Sequence, residues 1–130
     1  MTLRSDLFRT VERAETRFIC FRDTLTPPEE DFDIRDLDLK HCRQGRLGCG
    51  VHFLVLLNGD IQLGRRVNTV GSHSRDYDWV SVAVGVVGGV GPEGERMNTR
   101  TIDQCEALND ICEVLSEMYP NAELHDRYAE

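Results

Sequence analysis

Gly50-Val51-His52-Phe53-Leu54-Val55-Leu56-Leu57-Asn58-Gly59-Asp60-Ile61-Gln62-Leu63-Gly64-Arg65 is the stretch whose reading decides the fold. Two β-rich runs, Val51 to Leu57 and Ile61 to Arg65, flank Asn58-Gly59-Asp60. Asn-Gly supplies the positive-φ residues of a type I′ turn, so the spacing predicts a hairpin. Downstream, Val80 to Val87 is apolar on both faces, as a central strand covered by helices on both sides must be. Gly88, Gly89, Gly91, Pro92 and Gly94 end it. Upstream, Arg17 to Asp23 reads as a second buried strand that stops before Thr26-Pro27-Pro28. The acidic run Glu29 to Asp33 leads into a helix with Ile34, Leu37 and His41 at helical intervals, closed by Gly45 and Gly48. Thr101-Ile102-Asp103-Gln104 has the form of a capping box. Cys105, Leu108, Ile111, Cys112, Leu115 and Met118 follow on the expected apolar face of a helix that ends at Tyr119-Pro120. Ala122 to His125 reads as a last short strand. The order implies an α/β (α+β) fold with a mixed central β-sheet flanked by helices. Residues 1–16 carry Leu3, Leu7, Phe8 and Val11 and are expected to form a short amphipathic helix or an N-terminal arm, with a single domain over 17–130.

The chain's 130 residues suffice for one core. Fifteen Lys plus Arg against 23 Asp plus Glu leave a formal charge of −8, which argues against a general phosphate-backbone binder and suits a basic protein partner better than nucleic acid. No apolar stretch approaches the roughly 20 residues of a membrane-spanning helix. Arg4, Asp6, Arg9, Glu12 and Arg13 interrupt any signal-peptide core, so a cytoplasmic location is expected. Five cysteines without a C-x-x-C pair read as free thiols. His41, Cys42 and Cys49, with His125 as a conceivable fourth donor, match no established zinc spacing, and core packing is the favoured reading. The glycines from Gly85 to Gly94 fit no phosphate-loop frame.

Gly50-Val51-His52-Phe53, Asn58-Gly59-Asp60, Gly64-Arg65, Val70-Gly71-Ser72-His73, Tyr77, Ser81 and Val87-Gly88-Gly89 occur in an order and spacing that resembles the zinc-dependent N-acetylmuramoyl-L-alanine amidases, whose fold is shared with peptidoglycan recognition proteins. The likeness runs from about Arg17 to His125 and is nearest to the small phage amidases, called lysozymes, that also inhibit the phage RNA polymerase. It implies two histidines and a cysteine or aspartate around zinc, with an open position for water or the scissile carbonyl. In a motif like I-x-I-H-x-S-A-T-x-P the first histidine ends the first strand. Here Phe21 is expected at that place, or Arg22 if the alignment slips by one, and neither can donate to a metal. For the second histidine, ungapped alignment gives Arg127 and a two-residue deletion gives His125. The third ligand and an assisting lysine would fall after Glu130, and Val51 stands where the family has a catalytic tyrosine.

From this the sequence leads to a catalytically inactive, phage-encoded amidase-fold protein, a pseudoenzyme that acts by protein binding as an inhibitor or regulator of a polymerase or a host defence component. Two alternatives accompany it. One is a non-catalytic peptidoglycan-binding or virion module; the other is an amidase with an atypical metal site. No cofactor is expected. The candidate binding residues are Arg75, Tyr77 and Trp79, of the types that anchor interfaces, with His73 near the substrate groove and His52 either lining the cleft or bonded within the sheet. Asp103, Glu106, Asp110, Glu113 and Glu117 form an acidic helix face, read as solvated surface or a dock for a basic partner.

Overall fold

The computed structural model describes residues 11–27, 30–45 and 48–128. The expected helix or arm of residues 1–16 therefore lies largely outside the described residues, and its last part, 11–16, contains no helix. Glu12 instead bridges to Thr69, and the Arg13 guanidinium donates to Thr69 O and Tyr119 Oη at 2.7 and 3.1 Å.

Five strands, β1 (Phe18–Asp23), β2 (Phe53–Val55), β3 (Ile61–Leu63), β4 (Ser81–Val86) and β5 (Glu123–His125), form one sheet in the order β3-β2-β4-β1-β5. Only β3 runs antiparallel, paired with β2, so the sheet is mixed as expected. β4 is buried along its whole length, which explains the absence of alternation in its sequence.

The hairpin forms in the expected place with a different turn. Of Asn58 and Gly59 only Gly59 takes a positive φ, at 89°. Gly59 N donates to Leu56 O, and Leu56 N to Asp60 O, so a three-residue loop with glycine in the left-handed position closes it. Asn58 serves by accepting from Asp60 N through its side chain at 2.9 Å.

Helix α1 (Ile34–Arg43) starts on a capping box between Asp33 and Asp36 and buries Leu37 and His41. Helix α2 (Ile102–Met118) starts on the Thr101–Gln104 box. Its buried stripe is Gln104, Ala107, Leu108, Ile111 and Leu115. Cys105 and Met118, expected on the apolar face, are exposed, because a stripe stepping by four and three from residue 104 leaves residue 105 about 100° away. Gln104 is fully buried yet satisfied: its amide donates to Val55 O and Val87 O and its carbonyl accepts from Thr101 N. The cap thereby fastens the helix start to the ends of two strands.

The sheet separates two apolar clusters. Ile19, Phe21, Val82, Val84 and Val86 pack with the α2 stripe, each fully buried Leu, Ile or Val contributing roughly 1.5–3 kcal/mol. On the other face Leu54, Ala83 and Val87 pack with Leu37, Phe32, Cys49 and Val51.

Candidate functional site

The parallel strands point their C-terminal ends to one side of the sheet, where ligands of open α/β sheets are commonly held. Two clefts meet there, sharing Arg22, Asp23 and Arg96. The first is a groove of about 240 Å³ between α1 and the sheet, walled by Arg22, Leu25, Lys40, His41, Val51 and His73. The second opens on the α2 side, with Phe21, Arg100, His125, Asp126 and Arg127 in its wall.

A short turn builds the floor of the groove. Leu25 sits at φ 59°, a left-handed conformation that costs an ordinary side chain on the order of 1–2 kcal/mol. Its neighbours hold it there: the hydroxyls of Thr24 and Thr26 lie 2.8 Å apart and both receive Gly88 N–H, while Lys40 Nζ donates to Thr24 O at 2.6 Å.

The opposite wall is the loop 71–80. Arg22 Nε donates to His73 Nδ1 at 3.2 Å, and His73 Nε2 lies 2.8 Å from Ser81 Oγ. Because Ser81 Oγ spends its hydrogen on Tyr77 O, His73 Nε2 is the donor to that hydroxyl. The buried Ser81 and His73 thus form a relay that positions Arg22, not a nucleophile with its base. Asp78 fastens the loop by accepting from the backbone N–H of His73 and Ser74. Close approach matters here too: a Cβ on Gly50 would overlap Ser72 O, so only glycine admits the loop at this point.

Of the sequence candidates, His73 lines the groove, Tyr77 packs against Phe18 and His125 and lies under Arg22, and Arg75 and Trp79 are exposed on the same loop, Trp79 at 60%. His52 offers no surface. It is fully buried, donates from Nε2 to Thr69 O and accepts Ala83 N–H on Nδ1, and burial holds its pKa down to about 4. His41 accepts Gly50 N–H within the core, Cys42 is exposed, and Cys49 lies against Val51 O, so these three do not converge on a metal. The groove residues Lys40 and Arg96, and Arg100 behind them, carried no motif and were not singled out.

The placement of Phe21 at the metal-ligand position is corrected. Phe21 points into the α2-side core at 6% exposure, whereas the next residue, Arg22, faces the groove. Aligned on Thr24-Leu25-Thr26-Pro27-Pro28, the family motif also puts Arg22 at the histidine. His125 is stacked 4.4 Å from Phe18, and Arg127, which lines the second cleft, has no lone pair to give. Among the described residues there is no group of three or more His, Cys, Asp or Glu that could hold a metal ion.

Buried charge lies behind this edge. Arg100 pairs bidentately with Asp126 at 2.6 and 2.7 Å and lies 3.7 Å from Asp23. Burial works against its positive form, but the bond and charge of Asp126, helped by Asp23, raise its pKa overall. Burial also lifts the Asp23 carboxyl above its usual range, opposed by Arg100 and Arg96.

No protein-family model matches the chain. The endolysin of Enterobacteria phage K11 is 33% identical over 111 residues, which cover 85% of this chain and 74% of that protein. Among solved structures, the N-acetylmuramoyl-L-alanine amidase LysC from Clostridium intestinale superposes with a TM-score of 0.72 at 23% identity, over 85% of this chain and 69% of that one. Drosophila PGRP-LB in complex with tracheal cytotoxin superposes at 0.69 and 19% identity, over 94% of this chain and 79% of that one. These findings overturn the expectation of an inactive protein-binding inhibitor: the curated relatives that match are endolysins. With one third of its residues identical over most of its length and the same overall fold, the chain belongs to the phage endolysins of N-acetylmuramoyl-L-alanine amidase and peptidoglycan-recognition fold.

Proposed function

We propose that the chain works on bacterial peptidoglycan and that the groove between α1 and loop 71–80 receives the peptide stem of a muropeptide. The observation that carries this reading is the convergence of Arg22, Lys40, Arg96 and His73 around a groove at the C-terminal ends of parallel strands, in a chain related to endolysins. Stem peptides carry carboxylates and amides. Guanidinium and ammonium donors answer the first, and the backbone around Leu25 can answer the second. The exposed Arg75 and Trp79, with Tyr77 beneath, extend the wall for a ligand longer than the groove.

Calorimetric titration with muramyl tripeptide tests it. Saturable heat that is lost in the Arg22→Ala/His73→Ala double variant, with the far-ultraviolet spectrum unchanged, is the expected result. Absence of saturable binding by the wild-type chain would overturn the reading. Hydrolysis is read alongside, as clearing of a peptidoglycan suspension and release of free stem peptide, since cleavage of this amide is what the amidase relatives are named for.

A further inference from the structure

The second cleft shares Arg22 and Arg96 with the groove and adds a charge pattern of its own through Arg100, Asp126 and Arg127. Arg22, Arg96, Arg100 and Arg127 line it against two carboxylates, Asp23 and Asp126, an excess of two positive charges in a chain of formal charge −8. Both carboxylates are committed to Arg100: their side chains are 4% and 5% exposed, and Asp126 is held by two short bonds. Arg96 and Arg127 are exposed and make no ion pair among the described residues. Arg22 lines both clefts, and among the described residues its one hydrogen bond through the guanidinium is from Nε to His73. Arg100, nine-tenths buried, has its Nε without a partner. Such a place repels a cation and attracts an anion.

We propose that this cleft, at the C-terminal ends of β1 and β5, is an oxyanion site that takes a carboxylate or phosphate group. Guanidinium forks match the paired oxygens of both groups, and the buried Arg100–Asp126 pair fixes the back of the site while Arg96 and Arg127 supply its exposed front. The site stands where the family resemblance leads one to look for metal ligands, with Arg22 at the first histidine position and, at the second, Arg127 under ungapped alignment or His125 with a two-residue deletion. Its chemistry is that of a fixed cation made of side chains.

The test uses the full chain and inorganic phosphate, with ionic strength held constant by sodium chloride. Saturable phosphate binding and a rise in Tm are expected. Arg96→Gln/Arg127→Gln, two exposed positions whose change should leave the fold intact, should weaken phosphate binding at least about tenfold, whereas Arg66→Gln should not. Equal Tm shifts with chloride and phosphate, or unchanged phosphate affinity in the double variant, would overturn the proposal. Muramyl tripeptide then separates the sources. Displacement of bound phosphate identifies a stem carboxylate as the natural anion, and simultaneous binding identifies a phosphate-type ligand of its own. Phosphate binding without any muropeptide binding would uphold this site while removing the peptidoglycan reading.

Discussion

Adjacent residues of β1 meet opposite surroundings. Phe21 and Ile19 enter an apolar layer closed by a long helix, where both are buried. Arg22, one residue on, turns to the face where the shorter α1 leaves a groove, and its neighbours there are an imidazole, a lysine and a strained turn. The α2 face shows what an uninterrupted helical stripe does for a sheet; the α1 face shows that a groove opens where the covering helix stops short.

This contrast can be broken experimentally. Phe21→Ala should cost about 3–5 kcal/mol in urea unfolding, because a buried ring leaves a cavity on the densely packed side. A cost below about 1 kcal/mol would mean that the two faces have been assigned the wrong way round. The next largest effect concerns His52, buried in the sheet between them. Its folded pKa of about 4 lies below the unfolded value of 6.5, so the unfolded chain binds the extra proton. Its share of stability is complete above pH 6.5 and is lost as pH falls from there through 4, roughly 3 kcal/mol in all. His52→Gln should flatten that part of the pH profile. Arg22→Ala sharpens the comparison from the groove side: a stability change below about 1 kcal/mol, together with about tenfold weaker muropeptide binding, is expected. Trp79→Ala, exposed at the loop, should move stability by no more than about 0.5 kcal/mol, and any loss of muropeptide affinity would extend the groove wall to that ring.

Local chemistry made much of the fold legible before any coordinates. Thr101 with Gln104 announced the long helix, Asn58-Gly59 the hairpin, and the unalternating Val82 to Val87 the central strand. What failed was phase. β1 is buried on both faces over Ile19, Cys20 and Phe21, so alternation could not say whether Phe21 or Arg22 faced the groove, and one residue of slip exchanges the faces. Cys105 was misplaced for a related reason, since a polar residue, Gln104, occupies the buried stripe through its carbonyl partners. The site was legible only through His73 and the loop around Tyr77. Lys40, Arg96 and Arg100 reach it from distant segments, and the separation of 26 positions between Arg100 and Asp126 hides their pairing from any pattern of spacing.

The position of β1 in the sheet has a consequence for biosynthesis. Its two neighbours are β4 and β5, with Phe18 aligned to Ser81 on one side and Glu123 on the other. As the ribosome releases the chain from its N-terminus, β1 emerges first and waits through roughly 60 residues for one partner and roughly 100 for the other. Until then its apolar edges are open to whatever else is nearby. The arginine cleft, which draws Arg22 from β1 and Arg127 from just beyond β5, comes into being only when that last strand docks, so its assembly and the closing of the sheet are a single late event in the life of the nascent chain.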